Sequence, residues 1–286
     1  MGKNNLFNYE TLVHATAGAA GSILASACIY PLDILKFRMQ TNESTLLDKS
    51  TLQALYYLLQ EEGIKSWYKG IKPVLTSQGI SNFIYFYTFN GLKTVLPKNC
   101  EITSKVDLAL SIAAGIINVA LTTPLNVVNN RLKDNSEKCY SGLLDGMLHI
   151  ASTEGVDSLW SGFGASLLLV ANPAIHFTVY ETLKRRVNVK SATTFFLLGA
   201  ISKSVATVVT YPLQLVQTRQ RLNKKQNVHT LALLLSIIKR NGPGALYQGL
   251  ESKLIQTVLG AAIMFMTYEK IAQYVLMLLL SKRNKI

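Results

Sequence analysis

A chain of 286 residues with 49% apolar and only 16% charged residues is poor in charge for a soluble domain, and its mean hydropathy is positive. The net charge of +13 implies anionic partners, but the basic residues are spread among apolar stretches, with no basic-aromatic module to hold nucleic acid. Cys28, Cys100 and Cys139 are too far apart for a disulfide framework or a metal site, and the polar stretch Met1 to Glu10 is too short for a cleaved signal.

Along the chain, six stretches reach the roughly 20 residues that a bilayer-spanning helix needs. They lie near 12–38, 74–96, 106–132, 164–186, 194–220 and 252–279. Each carries a polar stripe at helical spacing, as expected when one face lines an aqueous cavity and the other meets lipid or neighbouring helices. Between the members of each pair lies a shorter amphipathic segment, near 51–61, 141–152 and 229–240. Leu52, Leu55, Leu58 and Leu59 give the first its apolar side, and all three read as helices lying along the membrane surface. The predicted fold is an all-α membrane protein.

The order is threefold. Pro31-Leu-Asp33-Ile-Leu-Lys36-Phe-Arg38, Pro124-Leu-Asn126-Val-Val-Asn129-Asn-Arg131 and Pro212-Leu-Gln214-Leu-Val-Gln217-Thr-Arg219 repeat one frame at spacings of 93 and 88 residues. A second pattern keeps phase with it: Glu62-Gly63 before Trp67-Tyr68-Lys69-Gly70, Glu154-Gly155 before Leu159-Trp160-Ser161-Gly162, and Asn241-Gly242 before Leu246-Tyr247-Gln248-Gly249. Two patterns in phase define an internal repeat, with units at 10–97, 103–188 and 192–280 forming a single domain over 1–286. A proline in each odd-numbered helix leaves the carbonyls of Ala27, Ala120 and Val208 without their helical donor and predicts a kink there. Three kinked helices can converge to close one end of a funnel.

Polar groups at membrane depth are the candidates for cargo binding. Lys203 precedes Pro212 by nine residues in a small, apolar helix. A charge there costs about 2.5–3.5 kcal/mol, so it either faces the cavity, where a point charge suits phosphate, or snorkels or joins a structural pair. Lys253 reads as a second phosphate contact or an interfacial anchor. Asn82 and Asn172 fall at cavity depth, Tyr85 and Phe86 offer rings for a planar base, and Pro173 is expected to break the fourth helix near Asn172. The four histidines are scattered, and neither a catalytic constellation nor a phosphate-cradling ATPase loop is present. The chain therefore reads as neither an enzyme nor an ATP-driven pump, and no cofactor or metal is expected.

The repeated proline frame and the aromatic-x-Gly resemble the mitochondrial carrier family over nearly the whole chain, from about His14 to Tyr274. Within the family, Ser81 to Asn90, Thr122-Thr123-Pro124-Leu125, Asn172-Pro173-Ala174-Ile175 and Val209 to Gln214 are similar to the peroxisomal carriers of nucleotides and coenzymes. The resemblance implies alternating access, six membrane helices, no catalytic activity, and a monomer in contact with lipid. Its cargo would be small anions such as ATP, ADP, AMP, coenzyme A, FAD or NAD, in the peroxisomal membrane or alternatively the mitochondrial inner membrane. A carrier of another anionic metabolite and a non-transporting scaffold are the other readings.

The family pattern also implies two gates. On the matrix side, each repeat usually supplies a carboxylate and a base to a ring of ion pairs. Here Asp33 and Lys36 keep theirs, but Asn126, Asn129, Gln214 and Gln217 are amides. Carried over by position, Asp33 faces Asn129, Asn126 faces Gln217 and Gln214 faces Lys36. Gln40 takes the place of the glutamine brace beneath the ring, with Lys133 and Arg221 at the equivalent positions. On the opposite side the pattern leaves Lys93, Glu181, Lys184 and Glu269. These give two ion pairs if Lys93 meets Glu181 and Lys184 meets Glu269, and one if Lys93 meets Glu269. The usual cargo contact points, near Ser77, Leu168-Leu169 and Thr257, hold no arginine here.

Overall fold

The structure is a computed structural model that describes residues 9–41, 44–47, 49–95, 104–134, 141–187, 191–223 and 228–263. Three long helices, one in each repeat, contain the motif prolines, and the first is α1 (Tyr9–Gln40). The surface helix α2 (Thr51–Glu62) and the even-numbered helix α3 (Ile71–Val95) complete the first repeat. The second comprises α4 (Ser104–Lys133), α5 (Leu143–Thr153), α6 (Phe163–Leu169) and α7 (Asn172–Arg186). The third comprises α8 (Ala192–Leu222), α9 (Thr230–Asn241) and a helix over 250–263, α10. Among the described residues, Val106–Lys133, Val156–Arg186 and Thr194–Leu222 are long and apolar enough to cross a membrane. Helices α1 and α3, of 32 and 25 residues, have the length to do so. The predicted break in the fourth helix is present: α6 ends at Leu169 and α7 restarts at Asn172 with Pro173 in its first turn, where a missing N–H costs no helical bond.

Each repeat has its own small core at the proline end. Leu35, Val128 and Val216 each lie four residues after their proline, and all three are fully buried. Leu35 packs with Leu58 of α2, Val128 with Ile150 of α5, and Val216 with Ile237 of α9. Burying such a side chain contributes about 1.5–3 kcal/mol, which fixes the surface helix against the long one. The outer faces of these surface helices are apolar as well. Leu52 and Tyr56, Leu144 and Leu148, and Leu231 and Leu235 form an exposed i,i+4 pair in each, placed to enter the bilayer interface. Leu52 thus belongs to this outer pair and not, as its spacing with Leu58 suggests, to the packed side.

One of the three carbonyls freed by proline has a replacement donor among the described residues. In the second repeat, the Trp160 indole N–H donates to the Ala120 carbonyl at 3.0 Å, replacing the donor that Pro124 lacks. In the other two repeats a tyrosine precedes the proline. Tyr30 donates to the Lys69 carbonyl at 2.7 Å and stacks on Tyr68; Tyr211 donates to the Gln248 carbonyl at 2.6 Å and stacks on Tyr247.

The three aromatic-x-Gly turns lock the repeats together in a cycle. Gly70, Gly162 and Gly249 have φ values of 74°, 79° and 80°, a region glycine enters without strain. A Cβ on Gly70 would approach the Leu132 carbonyl and the Lys133 stem of α4. On Gly162 it would meet the Gln217 carbonyl of α8 at 3.2 Å, and on Gly249 the Lys36 carbonyl of α1 at 3.2 Å. Repeat one therefore touches repeat two, two touches three, and three returns to one.

The candidate cargo cavity and its gates

The converging ends of α1, α4 and α8 floor a cavity of about 560 Å³. Among the described residues its lining contains five cationic side chains, Lys36, Lys133, Lys203, Arg221 and Lys253, and no carboxylate. Amides and hydroxyls supply most of the remaining polarity, among them Asn118, Asn126, Asn172, Gln214, Gln217, Ser81 and Ser166, and Tyr85 supplies a ring.

At mid-depth, the Lys203 ammonium donates to the Asn172 side-chain carbonyl at 2.9 Å. The Asn172 amide group donates in turn to the Thr210 hydroxyl at 2.8 Å and the Ala206 carbonyl at 3.3 Å. The helix break before Pro173 sets Asn172 at the head of α7, and this triangle orients the lysine head without neutralising it. Lys203 is thus neither a carboxylate's partner nor alone. Across the lining, Ser81 and Asn118 form a second polar pair, with the Asn118 amide donating to the Ser81 hydroxyl at 3.0 Å.

The proline end is closed. Asp33 accepts from Lys36 at 3.0 Å, from Lys133 of the second repeat, and from the Gln256 amide of α10 at 3.1 Å. The Gln40 side-chain carbonyl accepts from the Thr218 hydroxyl at 2.9 Å, and its main-chain carbonyl accepts from Arg219 at 2.8 Å. Gln217 donates to Ser166 at 2.7 Å, and Arg131 donates to the Arg221 carbonyl at 3.2 Å. Every pair of repeats is bridged at this end.

The other end is held differently. Lys93 pairs with Asp107 in the first turn of α4 at 2.8 Å, and its ammonium also sits over the Phe89 ring. Lys184 and Glu181 approach each other within one helix at 3.9 Å. No ion pair among the described residues joins α3 to α7, and Glu269 lies outside the described residues. The cavity is therefore shown with its proline end shut.

Comparison with known proteins decides the family. The description "Mitochondrial carrier protein" matches three times, over residues 7–99, 102–191 and 188–278. The peroxisomal membrane protein PMP34 of Mus musculus is 44% identical, covering 93% of this chain and 94% of that protein. Peroxisomal adenine nucleotide carrier 1 of Glycine max is 31% identical over 96% and 95% of the two chains, and the peroxisomal nicotinamide adenine dinucleotide carrier of Arabidopsis thaliana is 26% identical over 92% and 96%. The chain belongs to the mitochondrial carrier family. It is an integral membrane transporter of the peroxisomal membrane and not an enzyme.

Within the carrier fold, several positional expectations need correction. Asp33 does not face Asn129, which is buried off the cavity with no partner for its side-chain oxygen among the described residues. Its charged partner across the repeats is Lys133, nine residues after Pro124, whose long stem reaches the carboxylate from the brace level. Lys36 is held by Asp33 and not by Gln214, which turns to Thr210 of its own helix at 3.1 Å. Gln217 is taken by Ser166, so no hydrogen bond joins it to Asn126. Lys93 meets Asp107 and not Glu181, and its other expected partner, Glu269, lies outside the described residues. Asn82 is exposed and lies outside the cavity; the lining residue is Ser81, one position and about 100° away on the helix. Tyr85 lines the cavity while Phe86 is 60% exposed on the outer face. Lys253 donates to Gln256 at 3.1 Å and lines the floor. Of the usual contact points, Leu169 and Thr257 line the cavity, whereas Ser77 is buried and Leu168 exposed. Ser166, Asn118 and Asp107 had no place among the predicted site residues, and Ser166 could have been found from its fixed offset to Gly162.

Proposed function

We propose that this carrier exchanges adenine nucleotides or related phosphorylated coenzymes across the peroxisomal membrane by alternating access, acting as a monomer. The observation that carries this reading is the cavity lining, which among the described residues has five cationic side chains and no carboxylate. Such a lining favours multiply charged anions over neutral or cationic solutes. Lys203, oriented by Asn172, takes phosphate at mid-depth, and Lys253 adds positive charge below it. Tyr85 offers a ring edge to a planar base, and Ser81 with Asn118 offers donors and acceptors to its polar edge in the role first given to Asn82. Cargo enters from the open end. The proline end then opens as the bonds that Asp33, Gln40 and Gln217 make between repeats separate, while Lys93, Glu181 and Lys184 at the other end draw together. Relatives named for adenine nucleotides and for nicotinamide adenine dinucleotide support the choice of cargo.

Liposome reconstitution tests it. Vesicles preloaded with ATP, AMP, coenzyme A, FAD or NAD should take up labelled adenine nucleotide, and empty vesicles should not. Equal uptake into empty vesicles would remove the exchange mechanism, and uptake of none of the panel would remove the cargo class.

A further inference from the structure

Two seams between repeats carry a polar pair at nearly one depth. In the α7–α8 seam, between the second and third repeats, Asn172 holds the Lys203 ammonium. In the α3–α4 seam, between the first and second, Ser81 meets Asn118. The pairs occupy equivalent places. Asn172 and Ser81 follow their motif glycines, Gly162 and Gly70, by ten and eleven residues, and Lys203 and Asn118 precede their prolines by nine and six. Three residues are about 4.5 Å along a helix. Equivalent places in successive repeats stand on different sides of the bundle axis, so the cavity has a charged wall and a neutral one. In the described lining α3 contributes no charged side chain, and α4 contributes none before Lys133 at the closed end. The neutral pair has hydrogen-bonding capacity left over. An amide has two N–H donors and an oxygen with two lone pairs. Asn118 gives one N–H to the Ser81 hydroxyl at 3.0 Å, and its oxygen stands 3.3 Å from the same hydroxyl as acceptor. No other hydrogen bond among the described residues involves this side chain, so one N–H and one lone pair remain on a half-buried group in the lining. At Asn172, by contrast, the oxygen takes Lys203 and the amide group is shared between Thr210 and Ala206. One turn from Ser81 towards the open end, Tyr85 also lines the cavity, its ring held within 4° of parallel to that of Phe89.

We infer that the α3–α4 seam is the base subsite and that Asn118 selects adenine, so that cargo lies across the cavity with its base at Asn118 and Tyr85 and its phosphates at Lys203. An amide pairs with adenine at two points, donating to N7 and accepting from the 6-amino group. Guanine carries acceptors at both places, N7 and O6, so one of the two bonds becomes a repulsion. The Tyr85 ring packs on a base of either kind and adds affinity without choice. The inference rests on the proposed nucleotide cargo and deepens it by naming the part that is read. That part is the adenosine end that ATP, coenzyme A, FAD and NAD have in common.

The test uses the full chain in proteoliposomes, with unlabelled AMP and GMP competing against exchange of labelled AMP. AMP should inhibit the parent at a concentration at least fivefold below that of GMP, the discrimination of one two-point amide contact. Asn118→Ala should bring that ratio below twofold by weakening AMP while leaving GMP in place. Lys203→Gln should weaken both nucleotides and keep the ratio. Should Asn118→Ala not insert, Asn118→Ser is read in the same way. Equal inhibition of the parent by AMP and GMP overturns the subsite. So does a ratio that survives in Asn118→Ala, or an equal weakening of both nucleotides there, which would leave Asn118 a structural role only. Thermal midpoints in detergent separate these outcomes from failure of the cargo reading, since a ligand of the folded chain raises the midpoint. A chain that exchanges no nucleotide but is stabilised by AMP over GMP in an Asn118-dependent manner keeps the base subsite and loses the exchange reading. Exchange of AMP and GMP alike keeps a nucleotide carrier and loses the subsite, and neither exchange nor AMP-specific stabilisation overturns both.

Discussion

Lys203 is the residue on which cargo affinity rests most directly. Its ammonium is oriented by an amide and not neutralised, so removing it takes away charge without breaking an ion pair. A hydrogen bond to a charged group is worth about 1.5–3 kcal/mol, so Lys203→Ala should lower the affinity for phosphorylated cargo by about 10- to 100-fold. Asn172→Ala keeps the charge but frees its orientation, and the expected loss is about fivefold, the value of one neutral hydrogen bond. Saturation curves for AMP uptake in liposomes measure both, and equal losses would mean that Asn172 contacts cargo itself. Lys203 and Asn172 were legible separately, each as an unexplained polar group at membrane depth. Their bond was not, because 31 residues separate them and they stand on two different helices. Asn82 shows the opposite limit. Helical phase over a stretch such as Ser81-Asn82-Phe83 is ambiguous when polar and aromatic residues alternate, and an error of one position exchanges a lining residue for an outer one.

Between elements, the three repeats are tied with unequal strength. The Arg38 guanidinium of α1 grips Glu62 at the end of α2 through two hydrogen bonds of 2.5 and 2.7 Å, and Arg131 grips Glu154 in the same two-pronged manner. The third repeat has Asn241 at that place, and Arg219 turns to Gln248 and to the Gln40 carbonyl. Glu154→Gln should lower stability by on the order of 3 kcal/mol, since it leaves Arg131 buried beside a neutral group. Asn241→Ala, at an exposed position, should stay within about 0.5 kcal/mol. Thermal melting in detergent distinguishes the two, and a large loss at Asn241 would mean the third tie runs through it. The Trp160 bond permits a stricter test. Trp160→Phe should cost about 1 kcal/mol by orphaning the Ala120 carbonyl, and less in a Pro124→Ala background, where the restored N–H can reclaim it. Equal costs in both backgrounds would show that the indole contributes by packing alone. Element positions were readable from the repeated proline and glycine frames, because both are backbone requirements. The partner of the Trp160 indole was not, because the proline frees a carbonyl without specifying which donor replaces the lost one.

For the molecule as a whole, closure of the proline end depends on three glycine contacts arranged head to tail. They are not equally tight. A Cβ on Gly249 would lie 3.0 Å from the Tyr211 hydroxyl and 3.1 Å from the Met39 Cβ, while on Gly70 the nearest atom is 3.5 Å away. Alanine at Gly70 should cost only the backbone strain of a left-handed residue, about 1–2 kcal/mol. At Gly249, overpacking adds about 1–3 kcal/mol more, and it does so in the closed form. Gly249→Ala should therefore slow exchange more than Gly70→Ala at matched insertion, and similar rates for the two would show that this contact does not limit closure.

The sharing of Asp33 among Lys36, Lys133 and Gln256 has a further consequence, for how the chain tolerates variation. A ring of three ionic struts has redundancy, since losing one leaves two. Here the only carboxylate described at the gate carries all the ionic bonding, and the amide positions carry none. In a saturation library selected for transport, intolerance should peak sharply at Asp33, where even Asn and Glu are rejected. Asn126 and Gln214, whose side chains bridge no repeats, should accept many polar substitutes. A flat profile across these positions would mean that the gate draws its strength from packing and that its charge is dispensable. A sharp one would make the carrier's working life hang on a single side chain.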